Sequence, residues 1–439
     1  MTDRHIKIIG AGLAGCEAAY QAATQGCSVH LHEMKPKKFS PAHHSPSLAE
    51  LVCSNSLRSN APTSAVGLLK EEMRSLDSLL IKIADETAVP AGQALAVDRD
   101  KFAARVSRAM EDHPKIEIIH GEESALATSD PETPLILATG PLTSEKMAES
   151  LAQVTGRERL AFYDAIAPIV TEESLDMDII YSKSRWEDGP GDYLNCPMDK
   201  EQYLAFISAL DEAKTVPLKA FEEEKYFEGC LPIEVMCGRG EDTLRYGPMK
   251  PVGLRNPRTG QDPYAVVQLR MENREGSLYN LVGFQTKLTY PEQKRIFRMI
   301  PGLEKVDFAR LGSIHRNTFV CAPELLAPSL QLKDHPHIYL AGQLSGVEGY
   351  VESMAMGLLA GLNASRSLLG KEIIVPPPET ALGALIKHLT QTDPACFQPS
   401  NVNFGLFPPW EKKVPKKLRG AKRRELSLAA LDGWRTQLR

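Results

Sequence analysis

Residues His5 to Glu33 read HIKIIGAGLAGCEAAYQAATQGCSVHLHE, and this stretch decides the fold. His5 to Ile9 is an apolar run of strand length, Gly12 to Thr24 an alanine-rich helical stretch, and Ser28 to His32 a second strand. Between the first strand and the helix stand Gly10, Ala11, Gly12, Leu13, Ala14 and Gly15, the pattern G-x-G-x-x-G. The first glycine permits a tight turn, the second lets backbone approach a pyrophosphate, and the third lets helix and strand pack closely. The start of the helix then presents unpaired N–H groups to the phosphates. Glu33 closes the second strand 23 positions after Gly10, where an acid accepts hydrogen bonds from an adenosine ribose. The glycines alone would equally make a structural turn; strand, helix and acid together predict a dinucleotide site.

Downstream, a polar, proline-bearing segment from Lys35 to Ser64 is too long for a simple connector, which signals function. Leu68 to Ile83 and Lys101 to Met110 are predicted as amphipathic helices, and Ile116 to His120 and Leu135 to Ala138 as further strands of the same sheet. From about Ile166 glycine and proline punctuate shorter strands, and Tyr264 to Met271 with Leu278 to Phe284 have the composition of a hairpin. The parallel-sheet pattern returns at His337 to Ala341, followed by a glycine-rich turn and a long helix from about Val351 to Leu369. The predicted fold class is therefore α/β, an FAD-binding, Rossmann-like doubly wound parallel sheet interrupted by a mixed α+β insertion domain. The expected boundaries are 1–165 for the first part of the FAD-binding domain, 166–319 for an insertion carrying Cys230, 320–410 for the return segment, and 411–439 for a basic C-terminal tail. FAD is favoured over NAD because the late strand and helix suit a fold in which they contact the flavin end. The helix near Val351 would aim its positive end at the flavin pyrimidine. Gly342 and Gln343 stand where many FAD folds have Gly-Asp, and glutamine still donates and accepts hydrogen bonds. No second G-x-G-x-x-G follows a strand, so a nicotinamide donor would bind without a Rossmann unit of its own.

At 439 residues the chain has room for several domains, since roughly 150 residues make one. Hydrophobic residues at 43% and charged residues at 24% are ordinary globular usage. No uncharged apolar run of about 18 residues exists to span a bilayer, and the first residues run into a strand pattern instead of a signal peptide, so a cytoplasmic protein is expected. The eight cysteines include no C-x-x-C pair and no Cys/His cluster at zinc spacing. A structural metal, an iron–sulfur cluster and a dithiol redox centre are thereby disfavoured. The net charge of −5 averages an acidic body with a tail, Glu411 to Arg439, that holds ten Lys/Arg against three Asp/Glu. Lys412 to Arg424 alone carry eight cations, among them Lys416, Lys417, Arg423 and Arg424. Such a strip either releases counterions from RNA phosphates or is a solvated charge run. Leu426 to Trp434 is predicted as a short amphipathic helix docking the end of the chain.

Cys16 and Cys27, beside the first βαβ unit, are expected to be core residues. Cys53 lies in LAELVCSNSLRSN with Arg58 nearby, and Cys230 lies in FEGCLPIE on an expected tight turn. Polar, irregular surroundings favour a reactive thiolate, yet on pattern alone the catalytic and structural readings of both stand level.

The motifs GAGLAGCEAA, LAELVCSNSLRS, DYLNCPM, FEGCLPIE, YGPMKPVGL, RLGSIHRNTF, AGQLSGVEGYVESMAMGLLAG and NFGLFPPW run from the first strand to Trp410. Together they resemble the TrmFO family of bacterial folate- and FAD-dependent tRNA (uracil-5-)-methyltransferases, of the GidA-related flavoprotein group. GidA-type proteins are longer and carry a C-terminal helical region for which this chain has no space. The resemblance implies FAD as cofactor, methylenetetrahydrofolate as one-carbon donor and NADPH or NADH as reductant, with the carbon delivered to C5 of the T-loop uridine of tRNA. It implies Cys230 as the thiolate that adds to uracil C6 and Cys53 as the base that takes the C5 proton, with exchanged roles left open. Cys196, in DYLNCPM, reads as packing, Cys237 is not carried over, and Cys321 and Cys396 are expected only to be buried. His315, Arg316 and Asn317 contact folate, flavin or RNA, or form an ordered loop; Lys250 and Arg255 hold phosphate or the folate glutamate, or are simply solvated. Competing functions are a related enzyme for another RNA uridine, a flavin oxidoreductase without an RNA role, and a non-catalytic RNA-binding protein.

Overall fold

The computed structural model describes residues 4–126, 129–156, 160–186, 189, 191–217, 231–410 and 412–438, without the side chains of 160–163 and Arg316. Cys230 lies outside the described residues.

The opening stretch forms the predicted βαβ unit: strand His5–Ile9, helix Leu13–Thr24 and strand Ser28–Glu33. The two strands pair in parallel, Ile6 opposite Val29 and Ile8 opposite Leu31. Leu135–Leu137 pairs with the other edge of His5–Ile9, Ile338–Leu340 pairs with Leu135–Leu137, and Ile116–His120 pairs with Ser28–Glu33, all in parallel. A five-stranded parallel sheet results, completed by a strand from far along the chain. Apart from Ile118 and Ile119 on the edge strand, its apolar residues are buried, as strands covered on both faces require.

Helix Leu13–Thr24 crosses helix Tyr350–Leu368 with the two backbones touching. A Cβ on Gly357 would stand 2.2 Å from the Ala14 carbonyl oxygen, and one on Gly361 2.4 Å from that of Ala18. Small residues one turn apart on one helix thus receive an alanine-rich face of the other, and the crossing draws the starts of both helices to one place.

Between the two parts of this layer the chain builds a second, six-stranded antiparallel sheet. Its order is Tyr181–Ser182, Tyr193–Met198, Ala265–Met271, Leu278–Leu281, Ile169–Thr171 and Phe308–Arg310. It has its own core, in which Phe284 packs against Phe206 and Phe297. Strands Leu160–Ile166 and Ser313–Phe319, paired antiparallel, carry the chain out to this sheet and back.

Two local expectations are corrected. Leu68 to Ile83 is not one helix but two, Ala65–Ser75 and Leu79–Glu86. Asp77 takes a left-handed φ of 56°, and the Ser78 hydroxyl accepts from Ile81 N to begin the second helix. Buried Glu17 fixes that corner by accepting from Ser78 Oγ at 2.9 Å and Leu80 N at 3.0 Å. At the C-terminus the short helix expected over Leu426 to Trp434 is a 20-residue helix, Arg419–Leu438, which takes in half of the basic strip. Among the described residues, no helix is long and apolar enough to cross a membrane.

Candidate functional site

A cavity of about 420 Å³ lies where the parallel sheet meets the insertion sheet. The Gly10–Gly15 loop, the end of the Ser28–Glu33 strand, the Val52–Arg58 segment and the start of helix Tyr350–Leu368 form one side, and Arg270, Gly283 and Gln285 of the insertion form the other. The carboxyl ends of the parallel strands open onto it, as expected for a ligand site in an α/β sheet.

The three glycines divide their work. Gly10 has φ +99°, and a Cβ there would lie 2.5 Å from the Ala138 carbonyl oxygen. A Cβ on Gly15 would lie 1.8 Å from the Gly10 carbonyl oxygen, whereas one on Gly12 would meet nothing within 4 Å. Gly10 therefore makes the turn, Gly15 the close packing, and Gly12 the opening toward the cavity. Gly12, Leu13 and Ala14 line it, with no side chain capping the helix they begin. Glu33, also in the wall, accepts from Ala11 N and Lys35 N, each at 2.9 Å. The acid is thus tied to the glycine loop.

The late segment arrives at the same cavity. Gly342 adopts φ +73° and packs its Cα face on Ala14, and the Gln343 amide donates to Glu348. Glu348 is buried, and burial followed by the Asp164 carboxylate raises its carboxyl well above the ordinary range. Its neutral form is favoured. Gly349, at φ +108°, leads into Tyr350 without a side-chain cap.

Cys53 is held against that helix start. Its Sγ lies 2.9 Å from the Tyr350 hydroxyl, which accepts from Cys53 N at 2.8 Å and Ser54 N at 3.3 Å. The surrounding segment is gripped by three arginines: Arg99 donates to Leu51 O at 2.5 Å and Arg310 to Val52 O at 2.7 Å, both backbone carbonyls, and Arg270 to the Ser54 Oγ at 2.8 Å. Arg270 and Arg310 come from the insertion sheet, so the polar residues around Cys53 serve as anchors between the two sheets. Burial, with the Asp164 charge added, pushes the thiol up to about 12, against the Tyr350 hydrogen bond and Arg99. The expectation of a thiolate activated by a nearby Arg58 is corrected: Arg58, at left-handed φ 61°, pairs instead with buried Glu352.

Cys230 lies outside the described residues; three positions on in the chain, Ile233 N donates to Gln285 O at 2.7 Å, and Gln285 lines the cavity. Cys16, Cys27, Cys196 and Cys237 are buried, whereas Cys321 is half-buried and Cys396 exposed, so the burial expected of the last pair holds only in part. His315 and Asn317 line the cavity from a strand, not a loop. Lys250 and Arg255 are exposed and do not line it. In the tail, Arg423 is buried, 3.9 Å over the Trp410 ring, and Arg424 pairs with Glu71. These two cations are engaged by the protein itself, while Lys412, Lys413, Lys416 and Lys417 are exposed. Among the described residues, no group of three or more His, Cys, Asp or Glu is arranged to hold a metal ion.

Residues 5–372 match the model of the family described as glucose inhibited division protein A. The chain is 69% identical over 427 residues to the methylenetetrahydrofolate–tRNA-(uracil-5-)-methyltransferase TrmFO of Desulfotalea psychrophila, covering 97% of this chain and 96% of that protein. It is 58% identical over 439 residues, 100% of both chains, to the TrmFO of Geotalea uraniireducens. The chain belongs to the TrmFO family, within the GidA group. The TrmFO fold extends to a crystal structure of Aquifex aeolicus GidA, with TM-score 0.72 over 100% of this chain and 74% of that one at 16% identity. For a TrmFO chain, sequence reading singled out Cys53, the glycine loop and Gly342–Gln343, and of these Cys53, Gly10 to Ala14, Gly342 and Gln343 line the cavity. It passed over Tyr350 and Glu348, although both stand in the quoted AGQLSGVEGYVESMAMG motif, and Arg270, whose strand pattern carries no signal for a site.

Proposed function

We propose that this chain transfers a one-carbon unit from methylenetetrahydrofolate to C5 of the T-loop uridine of tRNA, with bound FAD and a reduced nicotinamide as co-reactant. One observation carries the reading: a single cavity joins the glycine loop to Cys53 beneath the start of helix Tyr350–Leu368, in a chain that aligns end to end with TrmFO relatives.

The residues present fit FAD. Gly12 leaves open space at the uncapped start of helix Leu13–Thr24, a place for a pyrophosphate, and Glu33 stands by to accept from a ribose. Gly342, Gln343 and the first turn of helix Tyr350–Leu368 would hold the flavin end. Bound FAD would supply the redox chemistry and the relay of the one-carbon unit.

The protein's own groups then act on the uracil. The Cys230 thiolate, assigned from its FEGC motif, adds to C6, and the C5=C6 electron pair moves onto O4 as an enolate. C5 so activated attacks the electrophilic carbon, whose bond to its carrier nitrogen breaks with the electron pair going to that nitrogen, and the reduced nicotinamide would supply, by way of bound FAD, the two electrons that bring the methylene carbon to the methyl level. Cys53, after releasing its own proton to solvent, takes the C5 proton, the electron pair re-forms C5=C6, and the Cys230 thiolate departs. A thiol whose proton is held as firmly as that of Cys53 is a strong acceptor once ionised, and the Tyr350 hydroxyl is placed to donate to its sulfur. The exposed lysines at 412, 413, 416 and 417 are read as phosphate contacts for the tRNA.

The test is transfer of labelled carbon from methylenetetrahydrofolate to an unmodified tRNA transcript with reduced nicotinamide present. Label in the T-loop uridine is expected; label at another RNA uridine, or none, overturns the reading. Cys230→Ala is expected to abolish the covalent adduct with 5-fluorouridine-containing tRNA.

A further inference from the structure

The insertion domain carries an exposed aromatic surface that the cavity does not use. Trp186 is 78% exposed and Tyr246 72% exposed. A large aromatic side chain so fully in water stabilises the fold little, since only its removal from water does so. Trp186 also takes a left-handed φ of 64°, uncommon for a bulky residue and worth a functional question.

The ring is nonetheless placed. The indole lies over Gly253, with Cδ2 3.3 Å from where a Cβ would stand. Arg185, the preceding residue, donates to Val252 O at 2.5 Å, Lys250 O at 2.7 Å and Gln268 Oε1 at 3.1 Å. One face of the indole is therefore seated on the Tyr246–Gly253 turn. At the other end of that turn the Arg245 guanidinium sits 4.1 Å over the Tyr264 ring and 5.8 Å from that of Tyr246.

Cations stand beside the rings. Arg185, Lys250 and Arg255 have no carboxylate within ion-pair distance among the described residues; both arginines donate to carbonyl groups. Position gives the surface a relation to the site. Pro248, in the middle of the turn, packs on Gly283, where a Cβ would lie 2.6 Å from the proline Cβ, and Gly283 lines the cavity. The aromatic turn is thus the outer layer of the cavity wall.

We infer that Trp186 and Tyr246, with the cations of Arg185, Lys250 and Arg255, form a stacking platform for unpaired nucleotides next to the uridine that enters the cavity. Seated aromatic rings take any base by its π face, and cations beside them follow the phosphates. A protein partner would be met by an apolar patch with its charges at the rim, whereas here cations with no ion-pair partner among the described residues lie among the rings. The inference rests on the tRNA reading above and goes beyond it by naming a surface outside the cavity.

The experiment measures binding of an unmodified tRNA transcript to the full-length FAD-bound protein by equilibrium titration and by tryptophan fluorescence. Trp186→Ala is expected to weaken binding roughly tenfold, the usual effect of removing one stacked base. Trp186→Phe is expected to retain affinity within about threefold while losing most of the fluorescence quench on tRNA addition. Trp434 is buried and Trp410 is covered by Arg423, so the quench reports Trp186. If the wild-type protein binds tRNA and Trp186→Ala binds it equally with the quench intact, the platform is overturned and the tRNA reading stands. If the wild-type protein binds no tRNA, both fall. Loss of methylenetetrahydrofolate binding in Trp186→Ala with tRNA affinity unchanged would assign the surface to the folate tail and overturn the inference.

Discussion

The Cys53 sulfur and the Tyr350 hydroxyl stand 2.9 Å apart although 297 positions separate them in the chain. The phenol oxygen accepts two backbone N–H groups, which leaves its own hydrogen for the sulfur. This bond and Arg99 are what lower the thiol's proton affinity against burial and Asp164.

Tyr350→Phe removes the bond, so the Cys53 thiol should titrate higher still. The alkaline limb of activity, and of Cys53 alkylation followed by peptide mass spectrometry, should move to higher pH. An unchanged profile would show that the phenol does not govern the thiol.

The glycine loop separates ligand space from packing space. Gly12→Ala places a methyl where no protein atom lies within 4 Å, so the melting temperature of the flavin-free protein should change little while flavin content falls sharply. Gly15→Ala drives a methyl against the Gly10 carbonyl and should lower the melting temperature outright. Equal flavin retention by Gly12→Ala would place the pyrophosphate elsewhere.

Arg58 compensates Glu352, which is fully buried while Arg58 is 37% exposed. Arg58→Ala strands that carboxylate. The expected loss is about 2–3 kcal/mol, at or just below the range for a fully buried pair, read by urea denaturation. Adding Glu352→Gln should restore part of it; a purely additive double variant would exclude the coupling.

Glu72 is buried at the joint between helices Ala65–Ser75, Ala381–Gln391 and Arg419–Leu438, accepting from Ala381 N at 2.6 Å, Leu382 N at 3.0 Å and Ser427 Oγ at 2.5 Å. Burial raises its carboxyl to about 7 despite these bonds. A carboxyl raised in the folded state contributes stability that is full below its unfolded value and lost as pH rises through about 7. Glu72→Gln should therefore be less stable at low pH, by about 1–3 kcal/mol for the N–H it leaves unpaired, and should lack the wild-type decline in stability toward pH 8. A parallel decline in both proteins would assign the pH dependence to other groups.

In the tail, neutralising Lys412, Lys413, Lys416 and Lys417 should flatten the salt dependence of tRNA binding, by about one unit of log-log slope for each phosphate left without its lysine. Arg423→Ala should instead lower the melting temperature, because that guanidinium stacks on Trp410 and donates to Pro408 O at 2.9 Å. A salt slope unchanged by the four lysine substitutions would remove the strip from the interface.

The βαβ unit, the glycine loop with Glu33, the late return strand at Ile338–Leu340 and the long helix after it were legible in the order of residues. These rest on local rules: apolar periodicity selects strand or helix, and glycine spacing selects the turn. That order also isolated Cys53 as a thiol without a paired cysteine. Tertiary structure alone decided the rest. It broke the helix at Asp77, because the Ser78 cap answers to Glu17 on another helix. It gave Arg423 and Arg424 to the protein interior and to Glu71, though in sequence they match the exposed lysines beside them. It turned Cys53 from a thiol beside Arg58 into a half-buried thiol under Tyr350, and it seated Trp186 on the Tyr246–Gly253 turn. Burial, pairing and proton affinity depend on which distant segments meet, and the order of residues in a chain does not state that.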